Sequence, residues 1–232
     1  MSTQQVNSTA TNEADVEVRL RANEAAYPEL NKFTYGVKGA FDRLAAGLIL
    51  LVLALPIAII SLLIMLTSPG PVLVRQSRVG RFGKSFTAYK FRSMREDAEM
   101  LRDQLEQDNS HSAPTIFKVK RDPRVNRFGR LIRRTSIDEI PQLFNVVRGE
   151  MSLVGPRPPL PREVMHYQPH HLQRLAATPG MTGLWQIRGR SEIPFEEMVE
   201  MDLEYIRTWS LWTDLRIIIK TPFAVIGGRG AW

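Results

Sequence analysis

Cysteine is absent from the 232 residues, which excludes disulfides, thiolate metal sites and thiol nucleophiles, so any chemistry must come from oxygen and nitrogen groups. Acidic residues are in deficit: 24 Asp and Glu face 31 Lys and Arg, a formal charge of +7 that favours phosphates, nucleic acids or acidic lipids without choosing among them. The first thirty residues lack an apolar run and carry Glu13, Asp15, Glu17 and Glu24, so residues 1–31 read as a disordered polar tail, neither a signal peptide nor a transit sequence. No internal repeat is visible, and the length suits one large domain or two small ones.

Charge is missing altogether from Leu44 to Leu66, 23 residues of which fifteen are Leu, Ile or Val. A soluble core helix is rarely apolar on every face for so long, and as a helix the run would be about 34 Å, enough for a hydrocarbon core of about 30 Å. Membrane association follows. Pro56 lies near the middle and predicts a bend there, because it removes one helical hydrogen bond. Lys32, Lys38 and Arg43 precede the run while Arg75, Arg78, Arg81 and Lys84 follow it, so neither flank is clearly the less basic. A re-entrant hairpin bent at Pro56 and a proline-kinked spanning helix both satisfy these residues.

After the run, TSPGP stops the helix, and alternation at Val72 and Val74, then Phe86, Ala88 and Phe91, predicts two short strands joined through Gly80 and Gly83. The basic residues here suit either a solvated hairpin or a phosphate-binding wall, the compact Lys90 and Arg92 favouring the wall. Arg95 to Asn109 is charged and reads as helical. Asp122 and Pro123 predict a helix start, followed by an amphipathic helix with Val125, Phe128, Leu131 and Ile132 on one face and mostly arginines on the other.

The stretch SIDEIPQLFNVVRGEMSLVGPRP places Asp138 and Glu139 side by side, close to Arg133, Arg134 and Arg157. Ser136 and Glu139 fit a capping box, with Asp138 at the positive end of the helix dipole; that account needs no chemistry, but it sits badly with Pro141 inside the same helix. The alternative is two carboxylates that hold Mg²⁺ and attack phosphorus, since magnesium commonly takes one or two protein carboxylates along with substrate phosphates. The proline-rich LVGPRPPLP would present Arg157 stiffly to a phosphate. Trp209 and Trp212 suit either a membrane interface or a core. His170 and His171 are adjacent, which predicts side chains pointing apart and no metal site.

The runs YKFRSM, RRTSIDEIPQLFNVVRGEMSLVGPRP, TPGMTGLWQIRGRS and WSLWTDLRIIIKT resemble the bacterial sugar transferases, the monotopic phosphoglycosyl transferases, from about Lys38 to Thr221 and in family order. The resemblance implies transfer of a sugar 1-phosphate from a nucleoside diphosphate sugar, UDP-galactose or UDP-glucose, to undecaprenyl phosphate, with release of UMP. It implies Asp138 as nucleophile, with Glu139 assisting through the metal or by positioning and proton handling. Beside it, the reading of the residues themselves makes Asp138 and Glu139 the candidate Mg²⁺ ligands and Lys90, Arg92, Arg133, Arg134 and Arg157 the candidate phosphate-binding residues. The resemblance also selects the re-entrant hairpin broken at Pro56.

The expected fold is α+β and mostly helical: a small catalytic domain on a re-entrant membrane hairpin, with amphipathic interfacial helices. Its expected parts are a tail at 1–31, a membrane-associated segment at 32–71, and a catalytic domain at 72–232 on the cytoplasmic face of the inner membrane. The expected partners are the sugar nucleotide, the lipid phosphate and the bilayer, not nucleic acid, with homo-oligomerisation left open. Two other functions share parts of this pattern. A membrane scaffold needs the anchor and cations but not Asp138, and a metal-dependent phosphohydrolase uses the dyad but passes phosphate to water.

Overall fold

The computed structural model describes residues 32–67, 69–95, 98, 101 and 122–227. The expected tail and most of the helix expected over 95–109 lie outside these residues. The fold is α+β and mostly helical, with two small two-stranded sheets.

The apolar run forms two helices, α1 (Lys32–Val52) and α2 (Ala54–Thr67), bent by 63° at Leu53. The bend falls three residues before Pro56, not at it. A proline lacks the N–H that would bond the carbonyl four residues back, here Val52, and its ring crowds that carbonyl, so the helix deflects one turn upstream. Leu53 N still donates to Ile49 O at 2.9 Å and Ile57 N to Leu53 O at 2.8 Å, so the bend leaves most of the ladder intact. Among the described residues no single helix is long and apolar enough to cross a membrane; only the bent pair taken together reaches that length and composition. Leu44, Leu51, Val52, Leu55 and Leu66 are each at least 70 % exposed.

The predicted strands form an antiparallel hairpin, β1 (Leu73–Val79) and β2 (Ser85–Phe91), in which Val74 faces Lys90. The helix expected from Asp122 begins later, as α3 (Arg127–Arg134). Asn126 caps it by accepting from Gly129 N. Asp122 is diverted because its carboxylate takes the Arg124 backbone N–H at 3.0 Å and the Arg124 guanidinium at 2.6–3.1 Å.

A tight 3₁₀ turn over Ile137–Gln142 then leads into α4 (Leu143–Arg148). Pro141 accounts for the interruption, because a continuous α-helix would need the N–H it lacks. Gly149 ends α4 with φ of 78°, and its bare α-carbon lies under the Arg43 guanidinium of α1. The parallel strands β3 (Ser152–Val154) and β4 (Gly180–Thr182) pair through a crossover containing the single turns α5 (Pro161–Val164) and α6 (Pro169–Leu172). A β-carbon on Gly155 or Gly180 would collide with the other's backbone, so both positions require glycine.

A short helix, α7 (Leu184–Arg188), precedes α8 (Phe195–Arg207), which buries Phe195, Met198, Val199, Leu203 and Ile206 at helical spacing. Each such side chain contributes about 1.5–3 kcal/mol on burial. Ser210 starts α9 (Leu211–Ile226) by accepting from Thr213 N at 3.1 Å. Of the two tryptophans, Trp209 is half-buried against Tyr35 and Trp212 is 65 % exposed.

One polar cluster joins α1 to this core. Lys38 Nζ lies 2.6 Å from Asp214 and 3.3 Å from Asp42, with all three side chains less than a tenth exposed. Ser152 Oγ donates to Asp42 at 2.6 Å, Tyr205 OH to Asp214 at 2.7 Å, and Trp209 Nε1 to Asp214 at 3.0 Å. Lys38 and Arg78 are therefore interior groups rather than flanking charges: Arg78 is buried and donates to Pro158 O at 2.8 Å. Replacing Lys38 with Met leaves two carboxylates buried without their cation, and urea denaturation in detergent micelles should show a loss of about 3–5 kcal/mol. A loss under 1 kcal/mol would mean that the cluster does not hold α1.

Candidate active site

The dyad rides on the 3₁₀ turn, directly before α4, and faces β2. Its entry is strained, since Ser136 has φ of 54° and makes no capping bond. The expected capping box is thus not formed. Glu139 instead reaches across to the strand, where Lys90 Nζ lies 2.6 Å from Oε1.

The two carboxylates occupy different environments. Burial is the largest influence on Glu139 and pushes its acid strength down. The Lys90 charge and hydrogen bond, with Arg157 and Arg78, outweigh burial and hold Glu139 below the usual carboxylate range. Asp138 is 9 % exposed. Burial pushes it up, and the neighbouring Glu139 charge adds to this; Lys90 and Arg133 oppose them but leave it at about 6. Glu139 is the compensated acid, and Asp138 carries the excess negative charge.

Cations surround the pair from four directions. Lys90 comes from β2, Arg133 from the end of α3, and Arg157 from the proline loop. Arg78 comes from β1, held near 10 by burial and by repulsion from Arg157. The loop carrying Arg157 is tied down along its length: Val79 N donates to Pro159 O at 2.9 Å, and Glu163 accepts from Leu160 N at 2.8 Å. Arg157 Nη1 itself lies 3.4 Å from Glu163 Oε2 and leaves its side chain 31 % exposed. Of the sequence-derived site residues, the structure brings together Asp138, Glu139, Lys90, Arg133 and Arg157. Arg92, buried beyond the end of β2, and Arg134, exposed on α3, are not among the cations acting most strongly on the dyad.

Arg190 and Arg78 were not singled out by the sequence. Arg190, also at φ of 54°, donates from Nη2 to Ser136 Oγ at 2.7 Å. Burial lowers its basicity, while the charges of Glu139 and Asp138 support it. Its signal was the arginine between small residues in RGRS. Arg78 was hidden by its resemblance to a membrane-flanking charge.

Two adjacent carboxylates, one of them buried with excess negative charge, are a donor set that could hold a magnesium ion, beside Lys90, Arg133, Arg157 and Arg78. A second cluster does not suit a metal. His170 and His171 do not point apart; their ring centroids are 4.0 Å apart, and both Nε2 atoms approach Glu196 Oε2, at 3.4 and 3.0 Å. His171 Nδ1 accepts the Gln168 N–H at 3.0 Å, so its single proton sits on Nε2, where a metal would need a lone pair.

The raised acid strength threshold of Asp138 has a consequence for stability. An acid held above its unfolded value of 3.8 stabilises the fold fully below that pH, and the contribution is lost as pH rises through 6. In chelator, Asp138→Asn should therefore match the parent near pH 4 and exceed it by on the order of 2 kcal/mol above pH 6.5. Denaturation curves that stay superimposed across this range would show that the carboxylate is not strained by burial.

The chain matches the family described as bacterial sugar transferase over residues 33–228. It is 42 % identical over 199 residues to the undecaprenyl-phosphate galactose phosphotransferase of Salmonella typhimurium, covering 84 % of this chain and 42 % of that protein. It is 39 % identical over 203 residues to the UDP-glucose:undecaprenyl-phosphate glucose-1-phosphate transferase of Xanthomonas campestris, covering 84 % and 40 %. It is 38 % identical over 198 residues to the exopolysaccharide production protein ExoY of Rhizobium meliloti, covering 84 % and 88 %. The chain thus spans less than half the length of the first two and most of the third. With the match running through every element that builds the dyad and its cations, the chain belongs to the bacterial sugar transferase family.

Proposed function

We propose that the protein is a phosphoglycosyl transferase that moves a hexose 1-phosphate from UDP-galactose or UDP-glucose to undecaprenyl phosphate, releasing UMP, as a first membrane step of exopolysaccharide assembly. The observation that carries this reading is the division of labour in the dyad: Glu139 is neutralised by Lys90 at 2.6 Å, while the buried Asp138 carries uncompensated charge among cations. The names of the relatives above supply the substrate class.

In this reading Asp138 is the nucleophile. A carboxylate oxygen attacks the phosphorus bearing the sugar, an aspartyl–phosphorus bond forms, the diphosphate bridge breaks, and UMP leaves with the bridging oxygen. An oxygen of undecaprenyl phosphate then attacks the same phosphorus and expels Asp138, giving the lipid diphosphate sugar. Arg157, Arg133 and Lys90 bind and orient the phosphates, with Arg92 and Arg134 as outer members of the set, and offset the repulsion between anionic reactants. Asp138 and Glu139 would hold Mg²⁺, which when bound supplies further charge neutralisation at the transferring group.

The bent pair α1 and α2 serves as a re-entrant hairpin, entering and leaving at the cytoplasmic face of the inner membrane. Residues 72–232 then form the catalytic domain beside the leaflet that contains the acceptor. Support comes from the 63° bend and from the exposed leucines along both arms.

The direct test incubates the purified protein with Mg²⁺, undecaprenyl phosphate and a panel of UDP-sugars. Lipid-dependent UMP release is expected, and donor alone should add a hexose phosphate mass that Asp138→Asn eliminates. An adduct surviving in Asp138→Asn places the nucleophile elsewhere; donor breakdown independent of lipid would identify a phosphohydrolase.

Topology is tested by single cysteines at Asn31 and Ser77, clean labels in a chain with no native cysteine. Both should react with impermeant reagent only after the cytoplasmic face is opened. In Pro56→Leu, whose helix is continuous, position 31 should become periplasmic. Periplasmic labelling of position 31 in the wild type would sink the hairpin.

A further inference from the structure

We propose that Asn145 is a positioning residue for the transfer reaction, its side-chain amide standing in for a missing neighbouring strand on β2 and thereby holding Lys90 against Glu139. This rests on the reading above, and it begins from a backbone problem. In the hairpin only one edge of β2 pairs with β1, so Thr87 C=O and Tyr89 N–H project from the opposite edge. Backbone groups left over at a strand edge form their bonds with water or with a neighbouring group.

Asn145 supplies both. Its Oδ1 accepts the Tyr89 N–H at 3.2 Å and its Nδ2 donates to Thr87 O at 2.7 Å. One amide bridging the C=O of a residue and the N–H two residues on reproduces what a single residue of a parallel strand would do. The side chain is 0 % exposed, and its remaining amide proton goes to Glu150 Oε2 at 2.6 Å, so three of its four bonding positions are used. Aspartate could not replace it, having no donor for Thr87 and adding a charge next to Glu150.

The placement matters more than the bonds themselves. Lys90 follows Tyr89 directly, and Asn145 lies in α4, which follows the turn carrying the dyad. The amide therefore clamps the strand that holds the ammonium to the helix that continues from its carboxylate partner. A second contact from α4 acts on the same strand residue, with Arg148 Nη1 donating to the Tyr89 hydroxyl at 3.0 Å. With both ends fixed, the 2.6 Å contact between Lys90 and Glu139 is set by the backbone rather than by two flexible side chains meeting by chance.

The test is a double-mutant cycle in the full chain, using Asn145→Ala, Lys90→Met and the pair, with kcat/KM for lipid-dependent UMP release as one readout. The ¹⁵N–¹H signal of the Lys90 ammonium, visible while it is hydrogen-bonded to Glu139, is the other. We expect Asn145→Ala to lower kcat/KM tenfold or more in the parent but less than twofold when Lys90 is already Met, and to erase the Lys90 signal. An equal loss in both backgrounds, or a Lys90 signal that persists in Asn145→Ala, overturns the proposal, since a merely structural asparagine would produce either. Should Asn145→Ala not fold, Asn145→Ser, whose hydroxyl can serve only one of the two backbone groups, carries the same cycle. A wild type without lipid-dependent release would remove the transferase reading alone, because the ammonium signal still reports whether Asn145 holds Lys90.

Discussion

Lys38 sits in α1 with its ammonium sealed from solvent between Asp42 and Asp214, and the rotation of α1 about its own axis follows from that contact. A helix that is hydrophobic on every side has no preferred rotation, since any face packs about equally well. A buried cation does have one, because an unmet charge in the interior costs several kcal/mol. The cluster carries one positive and two negative charges, and the neutral donors of Ser152, Tyr205 and Trp209 meet the surplus. Tyr205 stays a phenol, pushed well up by burial and by Asp214, so it remains able to donate. With α1 locked onto β3 and α9 in one rotation, Leu44, Leu48 and Leu51 are left facing outward.

The same logic of matched and unmatched charge shapes the dyad. Two adjacent acids in one buried turn cannot both be compensated by one lysine. Lys90 meets Glu139, and Asp138 is left with charge that burial penalises. Ser136 and Arg190, both held at φ of 54° and bonded to each other, show that the surrounding backbone bears strain to keep this turn where it is. Such strain persists only where the neighbouring structure over-determines it, and here the turn is flanked by β2, α3 and α4. A buried, incompletely compensated carboxylate of this kind costs the fold stability.

What the sequence made legible was local. Alternation gave the hairpin, the uncharged run gave the bent helices, and adjacency gave the dyad with Arg133 and Arg157. Its failures were of two kinds. Contacts across long sequence distances left no trace: Lys38 meets Asp214 across 176 residues and read as a membrane-flanking charge, and Lys90 meets Glu139 across 49. Short polar motifs were over-read where several partners compete. Asp122 looked like a cap but was taken by Arg124, and Glu139 looked like the second half of a capping box but was taken by Lys90. In each case a cation gives the carboxylate a charge-assisted bond, for Glu139 in place of the backbone and for Asp122 alongside the Arg124 N–H.

The placement of the helix bend belongs to the same account. Pro56 removes the partner of one carbonyl, yet the deflection appears at Leu53, where that carbonyl's turn begins. Upstream of the bend α1 is fixed to the core by Lys38 and Asp42, and Arg43 lies over Gly149 at the end of α4. Downstream, Ile64 of α2 is buried with Phe91 of β2 and Ile132 of α3. The arm α2 is therefore packed on elements that carry cations of the dyad, and α1 on the end of α4, the helix that continues from the dyad's turn. The position of Asp138 relative to the apolar helices is thus set by packing against elements that the helices and the dyad share.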